Sequence, residues 1–174
     1  FCVLVGLMSG MSETTFSPNT VTTRAQLVQV LYNFVGQPDV TGVTTPFTDT
    51  PADWYQAAIA WAYETGVVDG TSPTTFSPSR PVTREQAAVL LMRYAARLPG
   101  FAGSDAPADL SAFADGGSVS GWARAGMADA VALGLFGGTQ DTGGRVWLRP
   151  GESATRAEIA AVLARFGRNV AHLL

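Results

Sequence analysis

The chain has 174 residues, 47% of them apolar, which is enough for one sizeable core and argues against intrinsic disorder. Its 11 basic and 14 acidic residues leave a net charge of −3, which excludes a basic face for nucleic acid or anionic lipid. One cysteine, Cys2, permits no intrachain disulfide, and one histidine, His172, leaves little for a metal site or histidine-based catalysis.

From the N-terminus, Phe1-Cys2-Val3-Leu4-Val5-Gly6-Leu7-Met8 is apolar but short, and it lacks the basic leader of a signal peptide. A shift of 60 residues accounts for it better. That shift lays Gly6 on Gly66, Gly10 on Gly70, Phe16 on Phe76, Pro18 on Pro78 and Arg24 on Arg84 without a gap. Phe1 then falls on Trp61, so residues 1–36 read as a first repeat that begins inside its own first helix. In the second helix of this repeat, Leu27, Val30, Leu31 and Phe34 form the stripe of a core-facing helix.

Residues 37–46, rich in Gly, Pro and Thr, read as a connector to a second repeat at 47–98. This repeat opens on Phe47-Thr48-Asp49 and continues with Trp54, Ala58, Trp61 and Ala62 at helical spacing, with a stop at Gly66. The loop Phe76-Ser77-Pro78 then leads to a second stripe, Ala87, Leu90, Leu91 and Tyr94. After a connector at 99–112, a third repeat at 113–167 offers Phe113-Ala114-Asp115, Trp122, Gly134, Gly138 and Leu148-Arg149-Pro150, then the stripe Ile159, Val162, Leu163 and Phe166. The expected fold is mainly α: three tandem helical hairpins making one compact domain, with small residues bringing helices close together. The tail after Gly167 is too short to assign.

Each second helix begins with the same phrase: Thr23-Arg24-Ala25-Gln26, Thr83-Arg84-Glu85-Gln86 and Thr155-Arg156-Ala157-Glu158. Thr followed three residues later by Gln or Glu is a capping box, which accounts for both of those residues. Arg is left over, because the helix macrodipole disfavours a cation at the first helical position. Every basic residue of the chain is Arg, whose planar fork suits carboxylates. Two readings stay open for Arg24, Arg84 and Arg156. Each joins free amides at the helix start in an anion site, or each forms a salt bridge to an acid of a neighbouring repeat, such as Asp49 or Asp115. Arg93 and Arg165, near helix C-termini, need only the dipole to explain them. Trp54 and Trp122 are either stacking platforms for a sugar ring or core residues. Gly70 and Gly138 supply positive φ in a loop or let a ligand approach the backbone.

The ordered set Phe-x-Asp, Trp, Gly, Gly, Phe-x-Pro and Thr-Arg-x-Glu resembles the S-layer homology domain over nearly the whole chain. That resemblance implies a pseudo-threefold assembly of the hairpins with the Thr-Arg motif at grooves between them. It also implies noncovalent anchoring of a surface protein, outside the cell, to secondary cell-wall polysaccharide, often through pyruvylated sugars. The match is uneven. Only Arg156 sits in a full Thr-Arg-Ala-Glu, Leu148 replaces Phe with Trp147 beside it as a compensating aromatic, and repeat one lacks its Phe-x-Asp and Trp.

The leading functional expectation is a noncatalytic carbohydrate-binding anchor with no cofactor and no metal. In it Arg84, Arg156 and Arg24 engage ligand carboxylates, while Asp49, Asp115, Trp54, Trp122, Gly70 and Gly138 shape the sugar pockets. Replacing the arginines by Ala is then expected to lower binding with the fold intact. The alternative is a self-association or protein-docking module, recruited to an incomplete first repeat. Enzymatic function is the weakest reading: no His pairs with a nucleophile, and Asp49 and Asp53 read as turn and N-cap residues.

Overall fold

The computed structural model describes residues 8 and 15–171, so Cys2, Gly6, Gly10, His172 and the expected first helix of repeat one lie outside the described residues. Within them the chain is mainly helical. The helices are α1 (Arg24–Phe34), α2 (Gln56–Glu64), α3 (Arg84–Ala95), α4 (Arg124–Ala132) and α5 (Arg156–Asn169). A two-stranded antiparallel hairpin, β1 (Thr139–Gln140) and β2 (Val146–Trp147), pairs Thr139 with Trp147 and Gln140 with Val146.

The capping boxes form as the sequence predicts. Thr23 and Thr83 accept from the amides of Gln26 and Gln86, whose side chains accept from the Thr amides in return. At α5, Thr155 Oγ1 accepts from Glu158 N at 3.3 Å and Glu158 accepts from Thr155 N at 2.8 Å. Each box ties up one orphan donor at each side of the helix start.

The chain divides into two compact units, one of Phe1–Val82 with Thr155–Ile159, the other of Thr83–Ala154 with Ala160–Leu174. In the first, α1 packs on α2. Its core includes Leu27, Val28, Leu31, Ala58, Ile59, Ala62 and Phe76, all at or near full burial. Phe47 joins Phe76 and Tyr63 through ring contacts of 5.7 and 5.3 Å. One atom in this core is out of place: Thr22 is fully buried and its Oγ1 has no hydrogen-bond partner among the described residues. The corresponding residue of repeat two is Val82, also fully buried. Thr22→Val, which keeps the shape and removes the unsatisfied hydroxyl, is expected to stabilise the protein by about 1 kcal/mol and raise the melting temperature by roughly 2–4 °C. Differential scanning calorimetry checks this, and a lower melting temperature would refute it.

In the second unit α3 packs on α4, and Gly126 makes the close approach possible. A Cβ there would stand 3.1 Å from Val89 Cγ2 and 3.3 Å from Val89 Cα. The expected contact through small residues is thus real. Tyr94 of α3 stacks on Phe166 of α5 at 5.6 Å. Burial of that phenol raises its pKa from 10.0 to about 12, because ionisation in an apolar setting is disfavoured. Arg165 and Asn169 donate to the carbonyls of Leu135 and Leu133, so Arg165 does more than answer a helix dipole.

Three local expectations change. Trp54 precedes α2 and is exposed, so the apolar stripe of that helix is Ala58, Trp61 and Ala62 without it. The stretch 99–112 ends in a 3₁₀ turn, Leu110–Ala112, capped by Asp109. The β-hairpin was not anticipated. Its turn is organised by Asp141, which accepts from the amides of Gly143 and Arg145.

Candidate functional site

The first amides of the three Thr-Arg helices are not free. Arg24 N and Ala25 N donate to the carbonyls of Arg80 and Pro78, Arg84 N and Glu85 N to Glu152 and Pro150, and Arg156 N and Ala157 N to Thr20 and Pro18. With the third amide taken by the capping Thr, the anion cradle expected at each helix start is already filled by the chain itself.

The arginine side chains follow the same pattern. Arg24, Arg84 and Arg156 are all buried, at 5%, 8% and 5% exposure. Their Nε groups donate to the carbonyls of Phe76 (2.9 Å), Leu148 (2.7 Å) and Phe16 (2.9 Å). Each guanidinium also lies over an aromatic ring: Phe76 at 4.7 Å, Phe136 at 5.5 Å and Phe16 at 4.7 Å. Burial lowers the Arg24 pKa to about 10, helped by nearby Arg80 and opposed by Asp49; burial lowers that of Arg156 too. A desolvated cation over a π face is a strong interaction. The aromatic missing at Leu148 is replaced by Phe136, not by Trp147: where repeat two has Val68 and Phe76, repeat three has Phe136 and Leu148. That exchange of sizes was readable in the sequence. Trp147 instead donates its indole N–H to Asp141 at 3.0 Å and lies under Arg145.

Asp49 and Asp115 grip the other side of the same loops. Asp49 accepts from Phe76 N at 2.8 Å and Ser77 N at 2.7 Å, and Asp115 accepts from Leu148 N and Arg149 N, both at 2.7 Å. Ser77 and Arg149 have φ of +60° and +54°, which turns two successive amides toward one carboxylate. Phe76 is therefore held by its N–H to an anion and by its carbonyl to a cation, and Leu148 likewise. The turn and N-cap reading of Asp49 is replaced by this long-range clamp. Asp53 keeps a local role, accepting from Trp54 N at 2.7 Å. Asp115 also lines a surface depression of about 540 Å³ with Asp141, Trp147, Arg149 and Glu152.

Gly70 and Gly138 have φ of +86° and +72°; a Cβ on Gly70 would strike the Phe47 ring and two loop carbonyls, and one on Gly138 would strike Val146 Cγ1 and crowd the Trp147 carbonyl and the Phe113 ring. Positive φ and close packing account for both. Arg24, Asp49 and Gly70 thus converge on the loop 70–77, and Arg84, Asp115 and Gly138 on the loop 138–149.

Trp54 and Trp122 differ from all of these. They are 56% and 61% exposed, which removes the core reading for both. Trp54 meets Tyr55 edge to face at 5.1 Å, while Trp122 lies in the 3₁₀ turn Gly121–Ala123 ahead of α4. Large indoles left in solvent at matched positions are candidates for recognition.

Among the described residues no group of three or more His, Cys, Asp and Glu side chains could hold a metal ion, and no helix is long and apolar enough to cross a membrane.

A sequence model described as the S-layer homology domain matches residues 6–28, 46–88 and 112–160. The chain is 34% identical over 169 residues to the surface-layer 125 kDa protein of Lysinibacillus sphaericus, covering 95% of this chain and 13% of that protein. It is 31% identical to an amylopullulanase of Thermoanaerobacterium thermosulfurigenes and 28% identical to an exoglucanase of Acetivibrio thermocellus, over 90% of this chain in each case. It spans only 8% and 14% of those two enzymes' length. The shared segment is a non-catalytic anchoring module. With three matched segments spread over most of its length, the chain belongs to the S-layer homology domain family.

Proposed function

We propose that this chain anchors its parent protein noncovalently at the bacterial cell surface by binding an anionic, pyruvylated secondary cell-wall polysaccharide. Trp54 and Trp122 present indole faces to the sugar rings, and Arg84, Arg156 and Arg24, buried at the helix starts, supply the positive charge that attracts the ligand carboxylate. The observation that carries the reading is the exposure of the two indoles, 56% and 61%, at matched positions of repeats two and three. An aromatic face with polar groups at its rim suits a hexose, whose C–H face is apolar and whose hydroxyls are not. A pseudo-threefold arrangement of the hairpins, with repeat boundaries at 1–36, 47–98 and 113–167, belongs to the same proposal. Its support is the cyclic order in which Arg24, Arg84 and Arg156 reach the loops of repeats two, three and one.

Because the arginines also build the fold, their replacement by Ala is a poor test of binding. Trp54→Ala and Trp122→Ala are the better variants. As exposed positions they are expected to change stability by no more than about 0.5 kcal/mol. Each is expected to weaken co-sedimentation with isolated cell walls about tenfold, equivalent to about 1.4 kcal/mol. Chemical removal of the pyruvyl groups is expected to weaken the unmodified chain similarly. Undiminished retention of the double variant would remove the proposal.

A further inference from the structure

The residue after Arg84 stands apart from its counterparts. Glu85 is buried, 8% exposed, whereas the matching residues of repeats one and three are Ala25 and Ala157. Its carboxylate accepts two bonds from a single residue 35 positions away, Ser120 N at 3.0 Å and Ser120 Oγ at 2.9 Å. An acid in the first turn of a helix gains from the macrodipole while exposed to water, so the dipole alone gives no reason to bury it. Ser120 is the residue before the 3₁₀ turn Gly121–Ala123, yet its hydroxyl makes no capping bond there. The hydroxyl is turned to Glu85 instead, against the ordinary preference of serine at such a position.

Two residues beyond Ser120 is Trp122. In the first compact unit the corresponding residues are Ala25 and Ala52, neither with a polar side chain, and the backbone of Trp54 is held by the adjacent Asp53 at 2.7 Å. The two exposed indoles are therefore hung differently, one from its own neighbour and the other from helix α3.

We propose that Glu85 is the positioning residue for Trp122: by fixing the amide and the hydroxyl of Ser120 to α3, it sets the direction in which the indole leaves the turn. This rests on the reading of Trp122 as part of the polysaccharide surface. A platform held before the ligand arrives loses less freedom on binding, an effect of about fivefold in affinity for one side chain.

The test uses the full chain labelled with 5-fluorotryptophan, with the Trp122 resonance assigned through Trp122→Phe. In Glu85→Ala, which installs the residue of the other repeats, the Trp122 resonance is expected to shift and narrow while those of Trp54, Trp61 and Trp147 hold. Cell-wall binding should weaken about fivefold. Glu85→Gln keeps an acceptor for Ser120 N and a partner for Ser120 Oγ, and is expected to restore both signals. An unmoved Trp122 resonance in Glu85→Ala overturns the proposal, as does a shift of all four resonances together. If Glu85→Ala fails to fold, Ser120→Ala must still move the Trp122 resonance, and no movement there overturns it as well. Unchanged wall binding by Trp122→Ala refutes instead the polysaccharide reading, leaving the fluorine signal to judge Glu85 on its own.

Discussion

Asp49→Ala is expected to lower stability by about 3 kcal/mol, a large share of the 5–15 kcal/mol typical of a folded domain. The carboxylate accepts two short amide bonds, at 2.8 and 2.7 Å, and hydrogen bonds to a charged group contribute about 1.5–3 kcal/mol each. Without it, the amides of Phe76 and Ser77 remain aimed at one point with nothing to accept them. Ser77 keeps the cost of its φ of +60° without the bond that justified it. Arg24 also loses the negative charge that offsets part of its burial. For a chain of this size the melting temperature should fall by roughly 6–12 °C. Asp49→Asn, which keeps one carbonyl acceptor, should lose about half as much. Asp115→Ala should match Asp49→Ala, since it removes the same pair of bonds from Leu148 and Arg149. Thermal unfolding of the four proteins decides it: an Ala variant within about 0.5 kcal/mol of the unmodified chain rules out the clamp.

Gly70→Ala is expected to cost about 3–4 kcal/mol, whereas Gly36→Ala should cost only about 1 kcal/mol. Both glycines have positive φ, +86° and +79°, so the conformational penalty is shared. The difference is steric. A Cβ on Gly70 would lie 2.6 Å from Phe47 Cε1, 2.6 Å from Thr75 O and 2.7 Å from Ser72 O, whereas one on Gly36 meets nothing within 4 Å. Two of the three obstacles are backbone atoms, which cannot swing aside as a side chain can. Gly138→Ala should fall between, because its nearest obstacle is the methyl Cγ1 of Val146 at 2.6 Å. Urea titration of the three variants ranks them, and equal losses at Gly70 and Gly36 would show that φ alone matters.

The features legible in the sequence were those whose causes are local. Capping boxes, apolar stripes and the glycine stops depend on residues within a turn or two, so Thr23, Thr83 and Thr155 and the stripes that follow them could be read directly. Arginine could be recognised as unexplained by capping. What it does could not, because its acceptors, Phe76, Leu148 and Phe16, lie 52, 64 and 140 positions away. For the same reason Asp49 looked like a turn residue although its partners are 27 and 28 positions distant. The exposure of Trp54 and Trp122 goes with helices that start two residues beyond each tryptophan, at Gln56 and Arg124, a margin that periodicity does not resolve. Glu85 looked like a departure from the motif, and only the position of Ser120 gives it a partner.

The packing also bears on how such a chain can be taken apart. The sequence period invites a cut at 37–46, between the first and second repeats, yet α1 packs on α2, which lies on the far side of that cut. The same cut would strip Arg24 N and Ala25 N of their acceptors at Arg80 and Pro78, and the guanidinium of its carbonyl at Phe76. The boundaries between sequence repeats and the boundary between packed units do not coincide. A lone copy of the motif would therefore carry an open helix start at one end and an unclaimed loop at the other.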